Sequence, residues 1–125
     1  MADFKAVGKQ FTEFYYQTFD SSRAGLKDLY RPNSMLTWES KEIVGAESIV
    51  EHLQNLPFQS VVHKITTIDA QPSSEDGRNI LVSITGQLVV DEDIEHPLPF
   101  SQVFQLVQQA GSYFVFNDMF RLNYG

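Results

Sequence analysis

The sequence predicts an α+β domain in which N-terminal helices cover one face of a long antiparallel sheet. Apolar residues recur at three- and four-residue spacing early in the chain, and the period falls to two from Ser60 onward. The last segment, Tyr113 to Tyr124, is apolar on both faces, which calls for helices on one side and a second cover on the other. At 125 residues the chain is expected to be a single domain spanning 1–125, with enough length for one core.

Phe4, Val7, Phe11, Phe14 and Thr18, widened by Tyr15 and Phe19, predict an amphipathic helix from about Asp3 to Phe19. Ser21 or Ser22 can cap a second short helix carrying Leu26, Leu29 and Tyr30, which Pro32 should end. Met35 to Trp38 and Glu42 to Val44 are expected to be short strands. Gly45 opens a further helix with Ala46, Ile49, Val50, Leu53 and Leu56 inward, and Pro57 closes it. Val62, Lys64, Thr66 and Ile68 then alternate with Val61, His63, Ile65 and Thr67. A turn over Pro72 to Gly77 leads to a strand with Ile80, Val82, Ile84, Leu88 and Val90 on one face. Phe100, Phe104 and Leu106 alternate with Ser101, Val103 and Gln105, and Ala110-Gly111-Ser112 turns into the final strand. There, parity places Phe114, Phe116, Phe120 and Leu122 on one face and Tyr113, Val115 and Met119 on the other. A homodimer joined sheet to sheet is the economical cover for the second face.

Composition excludes several functions. The formal charge is −7, from sixteen acidic and nine basic residues. Phosphate backbones repel such a chain, and no basic patch appears, so nucleic acid is not an expected partner and basic proteins are. The chain has no Cys, which removes disulfides, thiol catalysis and thiolate metal sites. Met1-Ala2-Asp3-Phe4-Lys5 lacks a signal-peptide pattern, and no apolar run is long enough to span a membrane, so cytosol or nucleus is expected.

Trp38-Glu39 and the later run Asp91-Glu92-Asp93 suggest docking. A large ring can line a pocket for an apolar anchor while carboxylates pair with basic residues around it. Each feature also has a plainer explanation, a core ring at a strand end and a solvated hairpin. Overall acidity favours docking. His63 suits a hydrogen-bonded core histidine, His52 lies on a helix among polar neighbours, and His96 lies in a loop. None has a second ligand at local spacing, so neither metal nor cofactor is expected. Asp118 is the strongest sign of an enzyme, as a raised-pKa acid in an apolar cavity with His63 and Tyr15 or Tyr16. A bulge turning Asp118 outward, or a pair with Arg121, is the favoured alternative. Phe4 suits either the core stripe or a partly exposed ring for a partner's aromatic side chain.

Several segments together resemble the nuclear transport factor 2 family: Phe14-Tyr15-Tyr16-Gln17, Phe19-Asp20, Leu36-Thr37-Trp38-Glu39 and Leu56-Pro57-Phe58-Gln59. Gly86-Gln87-Leu88, Asp91-Glu92-Asp93 and Asn117-Asp118-Met119-Phe120-Arg121-Leu122 continue the match in register along the chain. The resemblance implies a cone-shaped fold with a strongly bent sheet, dimerising through the sheets. It implies a carrier without enzymatic activity that binds the GTPase Ran in its GDP form and mediates its import. It also implies contact with phenylalanine-glycine repeat nucleoporins, and residence in cytoplasm and nucleus, concentrated at the nuclear pore. The matching roles are Trp38, Glu39, Asp91 and Asp93 for Ran and Phe4 for the repeats. Many animal members carry Trp at the Phe4 position; Phe still offers an aromatic face. Enzymes of the isomerase or dehydratase type share the fold superfamily, and a scaffold that has lost Ran is a third reading.

Overall fold

The structure is a computed structural model and describes residues 3–123; the expected strand end at Tyr124 lies outside the described residues. Helix α1 (Phe4–Ser21) is followed by a 3₁₀ segment (Arg23–Leu29), strands β1 (Tyr30–Trp38) and β2 (Lys41–Val44), and helix α2 (Ala46–Gln54). Four long strands complete the chain: β3 (Val61–Pro72), β4 (Ile80–Val90), β5 (Leu98–Gln109) and β6 (Ser112–Leu122). They form one six-stranded sheet in the order β2-β1-β6-β5-β4-β3, strongly curled, with the helices on its inner face.

The sheet is mixed rather than purely antiparallel, because β1 runs parallel to β6, pairing Leu36 with Asp118 and Trp38 with Phe120. Periodicity reports which face a side chain occupies, not strand direction, so this pairing was invisible in the sequence. Asp3 caps α1, its Oδ1 accepting from the N–H groups of Lys5 and Ala6. The buried stripe of α1 is Gly8, Thr12, Tyr15, Tyr16 and Phe19, while Phe14 is 53% exposed. The expected stripe was therefore rotated. Thr12 can line the core because its hydroxyl donates to the Gly8 carbonyl, leaving no orphaned polar group. A Cβ on Gly8 would lie 2.9 Å from that of Ala70, so the missing side chain lets α1 settle onto β3.

Pro32 does not end a helix. The 3₁₀ segment stops at Leu29, Tyr30 already belongs to β1, and Pro32 falls where the β1–β6 register is irregular between Tyr30 and Met35. A proline lacking an N–H is tolerated at such a gap. Ser22 precedes the segment without a side-chain cap; the Ser21 hydroxyl instead donates back to the Gln17 carbonyl. Gly45 opens α2 at φ 98°, as its position predicts, but α2 ends at Gln54, leaving Leu56 half-buried beyond it.

A second correction concerns β6. The β5–β6 register shifts between Gln105 and Leu106, leaving Phe116 as the extra residue. Parity changes there, so Val115, Asp118 and Phe120 are all buried inward while Met119 is 53% exposed on the outer face. Met119 lies between Val103 and Thr37 in a cross-strand row. With Met35, Leu81 and Asn117 these residues line a shallow hollow of about 370 Å³.

Gly86 pairs with Ile65 in the β3–β4 ladder, where the register slips between Ile65 and Thr67. A Cβ there would stand 2.3 Å from the Lys64 carbonyl oxygen and 3.1 Å from the Phe100 ring. Backbone cannot give way cheaply, so Gly86→Ala is expected to destabilise the fold by about 2 kcal/mol. Thermal unfolding should show a midpoint lower by about 8 °C.

Candidate docking site

Trp38 ends β1, and the chain reverses through Glu39 and Ser40 so that Trp38 pairs with Lys41. Both turn residues are left-handed, at φ 50° and 76°, a conformation that non-glycine residues adopt at a cost. Two bonds to β6 offset it. The Glu39 N–H donates to the Phe120 carbonyl (3.1 Å), and the Glu39 Oε1 accepts a short bond from the Leu122 N–H. Glu39 is thereby aimed by the sheet itself.

The acid run repeats this construction. Asp91 (φ 49°) and Glu92 (φ 65°) form a second left-handed pair, closed by the Asp93 N–H donating to the Val90 carbonyl. Asp91 Oδ1 accepts from the backbone N–H groups of Gln59 and Ser60 at 2.9 and 3.0 Å, which hold its carboxyl below the usual range. Asp93 engages Nδ1 of His96 at 3.0 Å. A carboxylate offers about four lone-pair directions, so each anchored acid keeps capacity for a cation.

Register places both turns at one end of the sheet. Trp38 pairs with Phe120, Leu122 with Phe100, Phe100 with Gly86, and Val61 with Val90 beside Asp91. Trp38 stacks on Phe120 with ring centroids 4.0 Å apart and planes 8° from parallel. Arg23 braces the adjoining segment, donating to the carbonyls of Leu53 (2.9 Å) and Phe58 (3.0 Å) with its guanidinium 5.2 Å from the Phe58 ring. The structure therefore collects Trp38, Glu39, Asp91 and Asp93 at one end. Phe4 lies apart from them, half-buried at the first turn of α1 against the core.

Three contributors escaped sequence reasoning: Arg23, Phe120 and His52. The His52 ring meets the Trp38 ring at 66° and 5.6 Å. Its place on α2, beside Leu53 and three residues beyond Ile49, puts it on the flank of the buried stripe, which the spacing could have signalled.

Asp118 is neither turned outward nor paired with Arg121, whose guanidinium donates to Ser40 instead. It is 1% exposed, and the bulge displaces Phe116 rather than Asp118. Its Oδ2 accepts from the Tyr30 hydroxyl (2.7 Å) and its Oδ1 from Gln102 Nε2 (2.8 Å). Gln102 Oε1 in turn accepts from Tyr16 (2.6 Å), and the Tyr15 and Tyr30 hydroxyls lie 2.5 Å apart. Burial pushes the Asp118 carboxyl up to about 6, and these hydrogen bonds partly offset that rise. His63 does not complete a catalytic pair. Its Nδ1 is 2.6 Å from Asp20, its backbone N–H also donates to Asp20, and its ring stacks on Tyr16 at 4.1 Å. Among the described residues no cluster of three metal-ligating side chains occurs.

The sequence profile of the Nuclear transport factor 2 (NTF2) domain matches residues 7–122. The chain belongs to the nuclear transport factor 2 family. It is 57% identical over 122 residues to the nuclear transport factor 2 of Candida glabrata, a match covering 98% of this chain and 96% of that protein. The solved nuclear transport factor 2 of Cryptosporidium parvum superimposes with a TM-score of 0.88 at 45% identity, covering 96% of this chain and 94% of that one. A putative scytalone dehydratase from Novosphingobium aromaticivorans superimposes with a TM-score of 0.79 at 15% identity, covering 99% of this chain and 89% of that one. That likeness shows the fold alone.

Proposed function

We propose that the chain, acting as one domain, is a non-enzymatic carrier that docks Ran in its GDP form at the Trp38 end of the sheet. Trp38 receives an aromatic anchor from Ran, and Glu39, Asp91 and Asp93 pair with basic residues around it. The observation that carries this reading is the shared construction of the two acid-bearing turns. Each holds a non-glycine pair in the left-handed region, each ties a carboxylate oxygen to backbone N–H of a neighbouring segment (one group for Glu39, two for Asp91), and both lie at the same end of the sheet. Strain of this sort concentrates where function needs fixed geometry. A net charge of −7 suits a basic partner.

Met119, Val103, Leu81 and Met35 on the outer sheet face support the homodimer, since paired sheets would remove this apolar area from water. Phe4 contributes an aromatic face for phenylalanine-glycine repeats of nucleoporins, which suits a carrier moving between cytoplasm and nucleus through the pore. Nucleotide stays on Ran, so no cofactor is required. Calorimetric titration tests the reading: Ran loaded with GDP should bind, and Ran loaded with a GTP analogue should not. Equal binding, or none, would refute it.

A further inference from the structure

His52 carries an unmet hydrogen bond. Its Nε2 is closed off from solvent and has no partner among the described residues, although the ring lies against Trp38. A buried polar atom without a partner is costly, and its persistence asks for a reason. Burial, and secondarily the Lys41 ammonium, hold the His52 pKa below its ordinary value, so the neutral ring prevails at physiological pH. The neutral ring carries its one proton on one nitrogen, and with that proton on Nδ1 the Nε2 is an acceptor. Beside the ring lies a groove of about 520 Å³ lined by Lys41, Ser48, Glu51, His52, Asn55 and Leu56. His52 itself forms part of its wall.

We infer that His52 Nε2 is a latent contact of the docking site, taking up a hydrogen bond from an N–H donor of the basic partner once that partner seats against Trp38. The inference rests on the docking reading above. Phe120 fixes one face of Trp38 by parallel stacking, whereas His52 touches it edge-on, a contact that a modest rotation releases. In the free protein the nitrogen is shut away. In the complex the imidazole swings toward the groove and gains the bond it lacks.

The test uses wild type, His52→Leu, His52→Gln and Trp38→Ala, each titrated with Ran loaded with GDP and each unfolded thermally. Leucine removes the orphaned nitrogen, so its unfolding midpoint should equal or exceed that of wild type while affinity falls about tenfold. Glutamine restores an acceptor and should bind within about threefold of wild type. Leucine binding within about twofold of wild type, with Trp38→Ala still abolishing it, would overturn this inference alone. A midpoint lowered by leucine and no rescue by glutamine would mark His52 as structural and overturn it too. Failure of the wild type to bind would remove the docking reading and this inference together.

Discussion

Replacing Glu39 with glutamine is expected to weaken binding of Ran in its GDP form by about 2–5 kcal/mol while leaving the fold unchanged. The side-chain oxygen of glutamine still accepts from the Leu122 N–H, so the strained turn keeps its anchor and only the charge is lost. Glu39→Lys goes further, placing a cation where the partner's basic residues should arrive, and should abolish binding in a folded protein. Calorimetry beside circular dichroism separates the two effects. Normal binding by a folded Glu39→Lys variant would remove Glu39 from the site.

The second large effect concerns stability. Asp118 has a folded pKa of about 6 against an ordinary value of 3.8. The folded state therefore holds its proton more tightly than the unfolded state does. Asp118's contribution to stability is greatest below pH 3.8, declines as pH rises toward 6, and is flat above. The change amounts to about 3 kcal/mol for this single buried group. Asp118→Asn removes the titration and keeps a carbonyl oxygen for Gln102. The stability of the variant relative to wild type should thus rise by about 2 kcal/mol between pH 4 and pH 7, most of the full change. Urea unfolding at several pH values reads this difference directly, since other carboxylates contribute equally to both proteins. A difference constant with pH would show that Asp118 does not titrate there.

The carboxylate of Asp118 sits in a closed, buried surround. Tyr15 and Phe104 pack at a centroid distance of 4.7 Å, and Tyr15, Phe100 and Phe104 are all fully buried around the carboxylate's partners. His63 is committed to Asp20. Tyr16 donates to Gln102, and Gln102 and Tyr30 donate to Asp118, so the buried polar groups are satisfied, as such a network must be.

Periodicity disclosed α1, α2, the long strands and the α+β arrangement, because an apolar face facing a core leaves a regular trace. It could not disclose that β1 runs parallel to β6, nor the slip at Phe116, since one extra residue changes every later parity without changing composition. That slip is why Val115 was placed on the face of Met119, whereas parity did put Asp118 on the face of Phe120; its outward turn was expected from a bulge at Asp118 itself, and the bulge falls at Phe116. Pro32 suggested a helix stop because a missing N–H usually ends one; here the unpaired stretch of β1 accommodates it.

Of the site, Trp38 and the acids were legible as residue types, and the family resemblance assigned their roles. Their anchoring was not. Glu39-Ser40 and Asp91-Glu92 contain no glycine or asparagine, so nothing local announced left-handed turns; the bonds that stabilise them come from residues distant in sequence. Spacing on α2 could place His52 beside the buried stripe, but its contact with Trp38, and that of Arg23 with the Leu53–Phe58 segment, are tertiary and no spacing rule supplies them.

Trp38 is the chain's one tryptophan, so the fluorescence that this chain contributes comes from the proposed site. Titrating Ran loaded with GDP while following that emission tests the central claim most directly. A saturable spectral change is predicted, lost in Glu39→Lys and absent with the GTP-analogue form. Binding that is evident by calorimetry yet leaves the Trp38 emission unaltered would contradict docking at this end of the sheet.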